Sequence, residues 1–166
     1  MKRLTTRLLA KRCFCAIGLL LVLCASAWPA AAEPRINEIL ATNNRGLTDQ
    51  DGEVQDWIEI YNPDAKSVLL GGWSLTDDAA SLDKWRFPNV TLGPRKYLVV
   101  FASGKDRTAG NELHTNFKLN RDGEYLALVQ PDGSTAATEF MPEYPGQRKN
   151  ISFGAGAGGS LQGFDK

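Results

Sequence analysis

The sequence predicts an all-β fold built as a two-sheet sandwich, and three observations carry that prediction. Short runs rich in Val, Ile, Leu and aromatic residues recur about every ten residues, the spacing of short strands in antiparallel sheets. Clusters such as DQDGE, NPDAK, LGPR, NRDGE and QPDG separate them, where Gly supplies positive φ and Asp or Asn caps a turn through its side chain. Few stretches sustain the 3.6-residue apolar period of an amphipathic helix. Around eight such strands in roughly 100 residues fit an immunoglobulin-type β-sandwich, with a small closed barrel as the structural alternative.

The chain opens on a different pattern. Residues 1–32 carry Lys2, Arg3, Arg7, Lys11 and Arg12, then an apolar run from Cys13 to Trp28, then small residues ending in Ala30-Ala31-Ala32. This is the tripartite layout of a helical secretory signal peptide, with cleavage expected after Ala32 and a second A-x-A at Ala25 to Ala27. The apolar run falls short of the ~20 residues that span a bilayer, and no stop-transfer pattern follows it. Leu23 before Cys24 is too bulky for a lipoprotein site. The mature chain is therefore expected without a transmembrane segment, either secreted, periplasmic or on the cell surface.

The expected strands follow in order: Arg35 to Leu40, Asp56 to Tyr61, Ser67 to Leu75, Lys84 to Phe87, Lys96 to Ala102, Leu113 to Leu119, Glu124 to Gln130 and Thr135 to Phe140. In KYLVVFA, Tyr97, Val99 and Phe101 share one face while Leu98 and Val100 share the other, so both faces are apolar, as in a central strand. Asp-Gly between apolar runs predicts two hairpins, one through Arg121-Asp122-Gly123 and one through Pro131-Asp132-Gly133. From Gly154 the chain reads GAGAGGSLQGFDK, whose glycines and low apolar content predict a flexible tail or truncated linker over residues 155–166. The expected organisation is thus a leader at 1–32, a β-sandwich at 33–154 and this tail.

The 166-residue chain balances 19 Lys+Arg against 19 Asp+Glu. That balance belongs to the precursor. The leader removes five of the 19 bases and no acid, leaving 14 bases against 19 acids and a mature net charge near −5. All three cysteines, Cys13, Cys15 and Cys24, leave with it, which rules out disulfides, thiolate metal sites and a cysteine nucleophile in the mature protein. An acidic domain is a poor match for phosphate backbones, so nucleic acid is an unlikely ligand. Lys84, Arg86, Arg95 and Lys96 are the one candidate basic patch.

The densest acidic stretch, TDQDGEVQDWIE, places Asp49, Asp51 and Glu53 around Gly52. Hard cations take six to eight oxygens, and this loop supplies part of such a set, making calcium the candidate ion. The full EF-hand signature is missing, and a solvated turn is the favoured reading. His114, the only histidine, has no cysteine or second histidine with which to build a zinc site. No serine sits in a G-x-S-x-G elbow, so His114 reads as a hydrogen-bonding residue at a strand end. Trp57, Trp73 and Trp85 all read as core, although Trp85, between Lys84 and Arg86, has the most reason of the three to reach the surface.

Taken together, Asn37-Glu38-Ile39, DWIEIYN at Asp56 to Asn62, GWSLTDD at Gly72 to Asp78, WRFP at Trp85 to Pro88 and HTNFKL at His114 to Leu119 resemble the lamin tail domain in its bacterial, secreted form, over about Arg35 to Gly154. The resemblance implies an immunoglobulin-like β-sandwich that serves as an interaction or accessory module. The family has no established catalytic residues to carry over. The function expected is a non-catalytic module that binds a protein or cell-surface component. The alternative is a metal-dependent extracellular hydrolase acting on glycan or phosphodiester, using Asp49 and Asp51, or the N-terminal part of such an enzyme.

Overall fold

The computed structural model describes residues 33–155 and 161–165, the latter chiefly as backbone. The expected signal peptide, residues 1–32, lies outside the described residues, as do residues 156–160 of the Gly-rich stretch. Among the described residues all regular structure is β, in the layered arrangement the strand spacing predicts. The strands are β1 (Arg35–Leu40), β2 (Trp57–Tyr61), β3 (Val68–Leu69), β4 (Ser74–Thr76), β5 (Trp85–Arg86), β6 (Thr91–Leu92), β7 (Tyr97–Phe101), β8 (Leu113–His114), β9 (Leu126–Val129), β10 (Ala136–Phe140), β11 (Ile151–Ala155) and β12 (Leu161–Asp165).

One sheet runs β12-β11-β1-β2-β7-β8, antiparallel except for the parallel β7–β8 pair. The second runs β10-β9-β4-β5, and β3 pairs with β6 apart from both. Ile36, Ile39, Ile58, Ile60 and Val100 from the first sheet meet Leu75, Trp85, Leu126 and Leu128 from the second in one buried core. Ile36 and Ile39 are three residues apart, an odd spacing that would put them on opposite faces of a regular strand. A bulge between Ile36 and Glu38 absorbs the extra residue and returns both to the core. The bulged strand also leaves little room beside it: a Cβ on Gly154 of β11 would lie 2.4 Å from the Asn37 carbonyl oxygen. Glycine is what lets β11 pair there.

Several expectations need correction. The run Ser67 to Leu75 is two strands in different sheets, because Gly72 at φ +89 turns the chain and Trp73 N–H closes onto the Leu70 carbonyl at 3.0 Å. Leu113 to Leu119 shortens to Leu113–His114, and Lys118 instead bridges Ser103. The turn at Arg121-Asp122-Gly123 forms, with Gly123 N–H on the Asn120 carbonyl at 3.2 Å, but makes no hairpin. Its two arms diverge, and Glu124 takes Tyr144 as backbone partner at 3.0 Å. The second hairpin, β9–β10 through Pro131-Asp132-Gly133, is present. The flexible tail expected at 155–166 fails for Leu161–Asp165, which pairs along β11 from Ile151↔Asp165 to Ala155↔Leu161. Strand pairing uses backbone N–H and C=O groups, so the scarcity of apolar side chains does not forbid it.

Candidate functional site

Asp49, Asp51 and Glu53 converge as the sequence suggests, on a miniature hairpin closed by the Thr48↔Val54 bridge. Gly52 at φ +78 makes the turn, and Asp49 Oδ1 accepts from the Asp51 and Glu53 N–H groups, each at 3.0 Å. One carboxylate oxygen from each of the three lies within 4.8 Å of the others. The Lys105 ammonium stands among them, 2.5 Å from Asp49 Oδ2, 2.6 Å from Asp51 Oδ2 and 2.8 Å from Glu53 Oε2. Three donors meet three acids, the full capacity of a lysine. Arg107 adds a second cation on Asp51 Oδ2 at 2.8 Å, and Glu112 Oε2 accepts from Gln50 N–H at 2.7 Å.

The electrostatics follow from those contacts. Burial would raise the Asp49 carboxyl, but the hydrogen bonds from Lys105 and from backbone N–H groups outweigh it and hold the group below the ordinary aspartate value. Asp51 is held down to about 2 by hydrogen bonds from Lys105 and Arg107. Lys105 is pushed up by its hydrogen bonds to the three acids. The cluster is an ion-paired clamp between the 48–54 hairpin and the segment after β7. Among the described residues the one carboxylate group suited to a divalent ion is this same trio, each member already committed to the Lys105 ammonium.

His114 ends β8 and is fully buried. Its Nδ1 lies 2.9 Å from Ser103 Oγ, its ring stacks on Phe101 with centroids 5.2 Å apart, and Nε2 is 3.8 Å from Glu112 Oε2. Ser103 Oγ also accepts from Lys105 N–H at 3.2 Å, which ties the pair to the start of the Lys105 segment. Burial lowers the His114 pKa and the cations Arg107 and Lys105 lower it further, against Asp49 and Glu112, so the ring is neutral at pH 7. No local pattern singles out Ser103, eleven residues earlier, as the partner. The hydroxyl is itself buried beneath the clamp, so the pair serves as a packed hydrogen bond.

Trp57, Trp73 and Trp85 are all buried, in keeping with the core reading, and Trp85, the one with most reason to reach the surface, is no exception. Its neighbours Lys84 and Arg86 alternate to the other face of β5, and Phe87 packs edge-on against its ring at 5.0 Å. Two of the four residues of the candidate basic patch are ion-paired, Lys84 with Asp77 at 2.6 Å and Arg86 with Asp83 at 3.0 Å.

What the sequence did not single out is the outer face of the six-stranded sheet. Register sets three rungs across it. Leu40, Trp57, Phe101 and His114 form one, buried. Gly154, Glu38, Glu59 and Val99 form the next, and Arg35, Tyr61 and Tyr97 the third. Tyr61 and Tyr97 stack at 4.5 Å, and the Arg35 guanidinium lies 5.2 Å from the Tyr61 centroid. Tyr97 is 55% exposed and Leu47 49% exposed. Gly46 and Leu47 lean over the face and, with Leu40, Trp57, Glu59 and Val99, enclose a concavity of about 250 Å³. The alternation in KYLVVFA was the available signal, but the rungs become visible only once strand partners are known.

Among the described residues no helix is long and apolar enough to cross a membrane. Comparison with known protein families finds that the model described as Lamin Tail Domain matches residues 28–140. No curated protein and no solved structure matches the chain.

Proposed function

The chain belongs to the lamin tail domain family, and from that membership we propose that it acts as an exported, non-catalytic interaction module that binds a protein or cell-surface component. The module is the β-sandwich from Glu33 to Gly154, and the leader at 1–32 is removed during export, with cleavage after Ala32. The observation that carries the reading is the outer sheet face, where Tyr97 and Leu47 present apolar surface beside the stacked Tyr61. Exposed aromatics on a rigid sheet are the usual anchors of protein interfaces. The acidic cluster, which alone suggested chemistry, has its carboxylates tied to Lys105 and Arg107.

A photo-crosslinking residue at position 97, compared with one at the exposed Asp132 on the β9–β10 turn, tests this in the producing cells. Discrete adducts from position 97 and none from 132 are expected. Equal labelling at both positions, or none, overturns the reading. So does turnover of glycan or phosphodiester by the purified domain that disappears in Asp51→Asn.

A further inference from the structure

Resting on that reading, we propose that the end of the sheet face around Tyr61 and Tyr97 receives a short acidic segment of the partner protein, with an aromatic or apolar residue seated on Tyr97. Strand register places Arg35, Tyr61 and Tyr97 on the last rung of that face. The loops after β2 and before β7 meet beyond it, since Asn62 N–H donates to the Lys96 carbonyl at 3.0 Å and Arg95 N–H to the Asp64 carbonyl at 3.2 Å. Lys66, Arg95 and Lys96 are therefore carried to the same end as Arg35, and all four side chains are exposed.

Among the described residues none of these four cations has an ion pair. Arg35 stacks on Tyr61, a contact through the plane of the guanidinium that does not use its N–H donors. Lys96 lays its stem over the turn, its Cγ 3.2 Å from where a Cβ on Gly93 would stand. Arg95 beside it holds φ +55, a conformation that glycine takes freely and other residues resist, so a long cation is kept there at a steric cost. The acids beside these segments are Glu33, whose Oε2 accepts from Gln130 at 2.7 Å, and Asp64, whose Oδ1 accepts from Lys66 N–H at 3.1 Å. Four cations against two acids make this end basic, whereas the mature chain as a whole has 14 bases against 19 acids. Charge complementarity calls for an acidic occupant.

The same charge distribution limits the length of that occupant. A nucleic acid or other long polyanion would run on over the acidic remainder of the domain, and a nucleic-acid strand also needs successive open rings for its bases. Here Tyr61 and Tyr97 stack on each other at 4.5 Å and Arg35 lies over Tyr61, which leaves Tyr97, 55% exposed, as the open platform of the three. A single aromatic anchor with a charged rim is the arrangement of a protein interface.

Fluorescence anisotropy with short labelled peptides tests the inference on the mature chain. The peptides carry Glu-Phe-Glu, Glu-Ser-Glu or Lys-Phe-Lys at their centre, and a single-stranded oligouridylate of similar length is the long-polyanion control. The Glu-Phe-Glu probe is expected to bind more tightly than Glu-Ser-Glu, to weaken with added salt, and to lose about tenfold when Lys66→Gln and Lys96→Gln are combined, as for two solvent-exposed ion pairs. Tyr97→Ser, at an exposed site, gives an independent loss should the double variant lower the melting temperature. Equal binding of the Lys-Phe-Lys probe, or indifference of a folded double variant, overturns the inference, and crosslinks at position 97 then keep the module reading intact. Tighter binding of the oligouridylate overturns it in favour of nucleic acid. No binding of any probe overturns it as well, and the module reading falls with it only if position 97 also gives no crosslinks.

Discussion

Asn62, the last residue of DWIEIYN, makes the sharpest test of how this sequence builds its fold. The side chain is fully buried. Its Nδ2 donates to the carbonyls of Lys66 at 2.8 Å, Leu92 at 3.1 Å and Gly93 at 2.9 Å, while Oδ1 accepts from Asp64 N–H at 3.0 Å. One amide thus closes the turn after β2 and ties it to the segment between β6 and β7. Two amide hydrogens and one acceptor are lost in Asn62→Ala. At about 0.5–1.5 kcal/mol net for each hydrogen bond, the expected cost is about 3 kcal/mol. Asn62→Asp keeps the shape but sets an oxygen against three carbonyls in a buried position, so it should cost more than alanine, and less at low pH where the carboxyl is protonated. Thermal and urea unfolding followed by tryptophan fluorescence measure both. For a domain of this size the alanine variant should melt roughly 10–15 °C lower. An alanine variant within about 1 kcal/mol of the parent, or an aspartate variant no worse than alanine and insensitive to pH, refutes the reasoning.

Three further outcomes are expected. Lys105→Met leaves Asp49, Asp51 and Glu53 without their ammonium, so calorimetry should detect calcium binding in the variant, at the roughly 10⁻⁴–10⁻³ M affinities of weak extracellular sites, and none in the parent. His114 has a folded pKa below its unfolded value of 6.5, so the folded state binds fewer protons and stability present above pH 6.5 is lost as pH falls below it. The slope of melting temperature against pH between 7 and 5 should flatten in His114→Asn, and an unchanged slope counts against the assignment. Gly154→Val places side-chain atoms against the Asn37 carbonyl and Glu38 Cα, so hydrogen exchange should show β11 unprotected while β2 and β7 remain protected.

Much of the family's motif set turns out to be connective. Asn37 sits at the bulge that returns Ile36 and Ile39 to one core, and its amide orients Glu59. Asp56 Oδ1 accepts from Asn43 N–H at 2.7 Å, holding the two ends of the segment between β1 and β2 together. In GWSLTDD, Gly72 turns the chain and Thr76 Oγ1 donates to the loop carbonyls that follow. Such residues look chemical in a sequence because they are polar and closely spaced. In the fold they satisfy backbone groups that would otherwise be buried unpaired.

Local sequence was enough for the class of fold, the location of most strands, the face each side chain takes in the strands without a bulge, and the tight turn at Pro131-Asp132-Gly133. These depend on backbone sterics and turn chemistry acting over a few residues. Tertiary structure decided which strands pair, and with that everything functional. Asp49 meets Lys105 across 56 residues of sequence, Tyr61 meets Tyr97 only because β2 and β7 are neighbours, and β11 supplies the edge that orders Leu161–Asp165. No local pattern encodes those meetings, because they are settled by which arrangement buries the two inner faces together and leaves no backbone group unsatisfied.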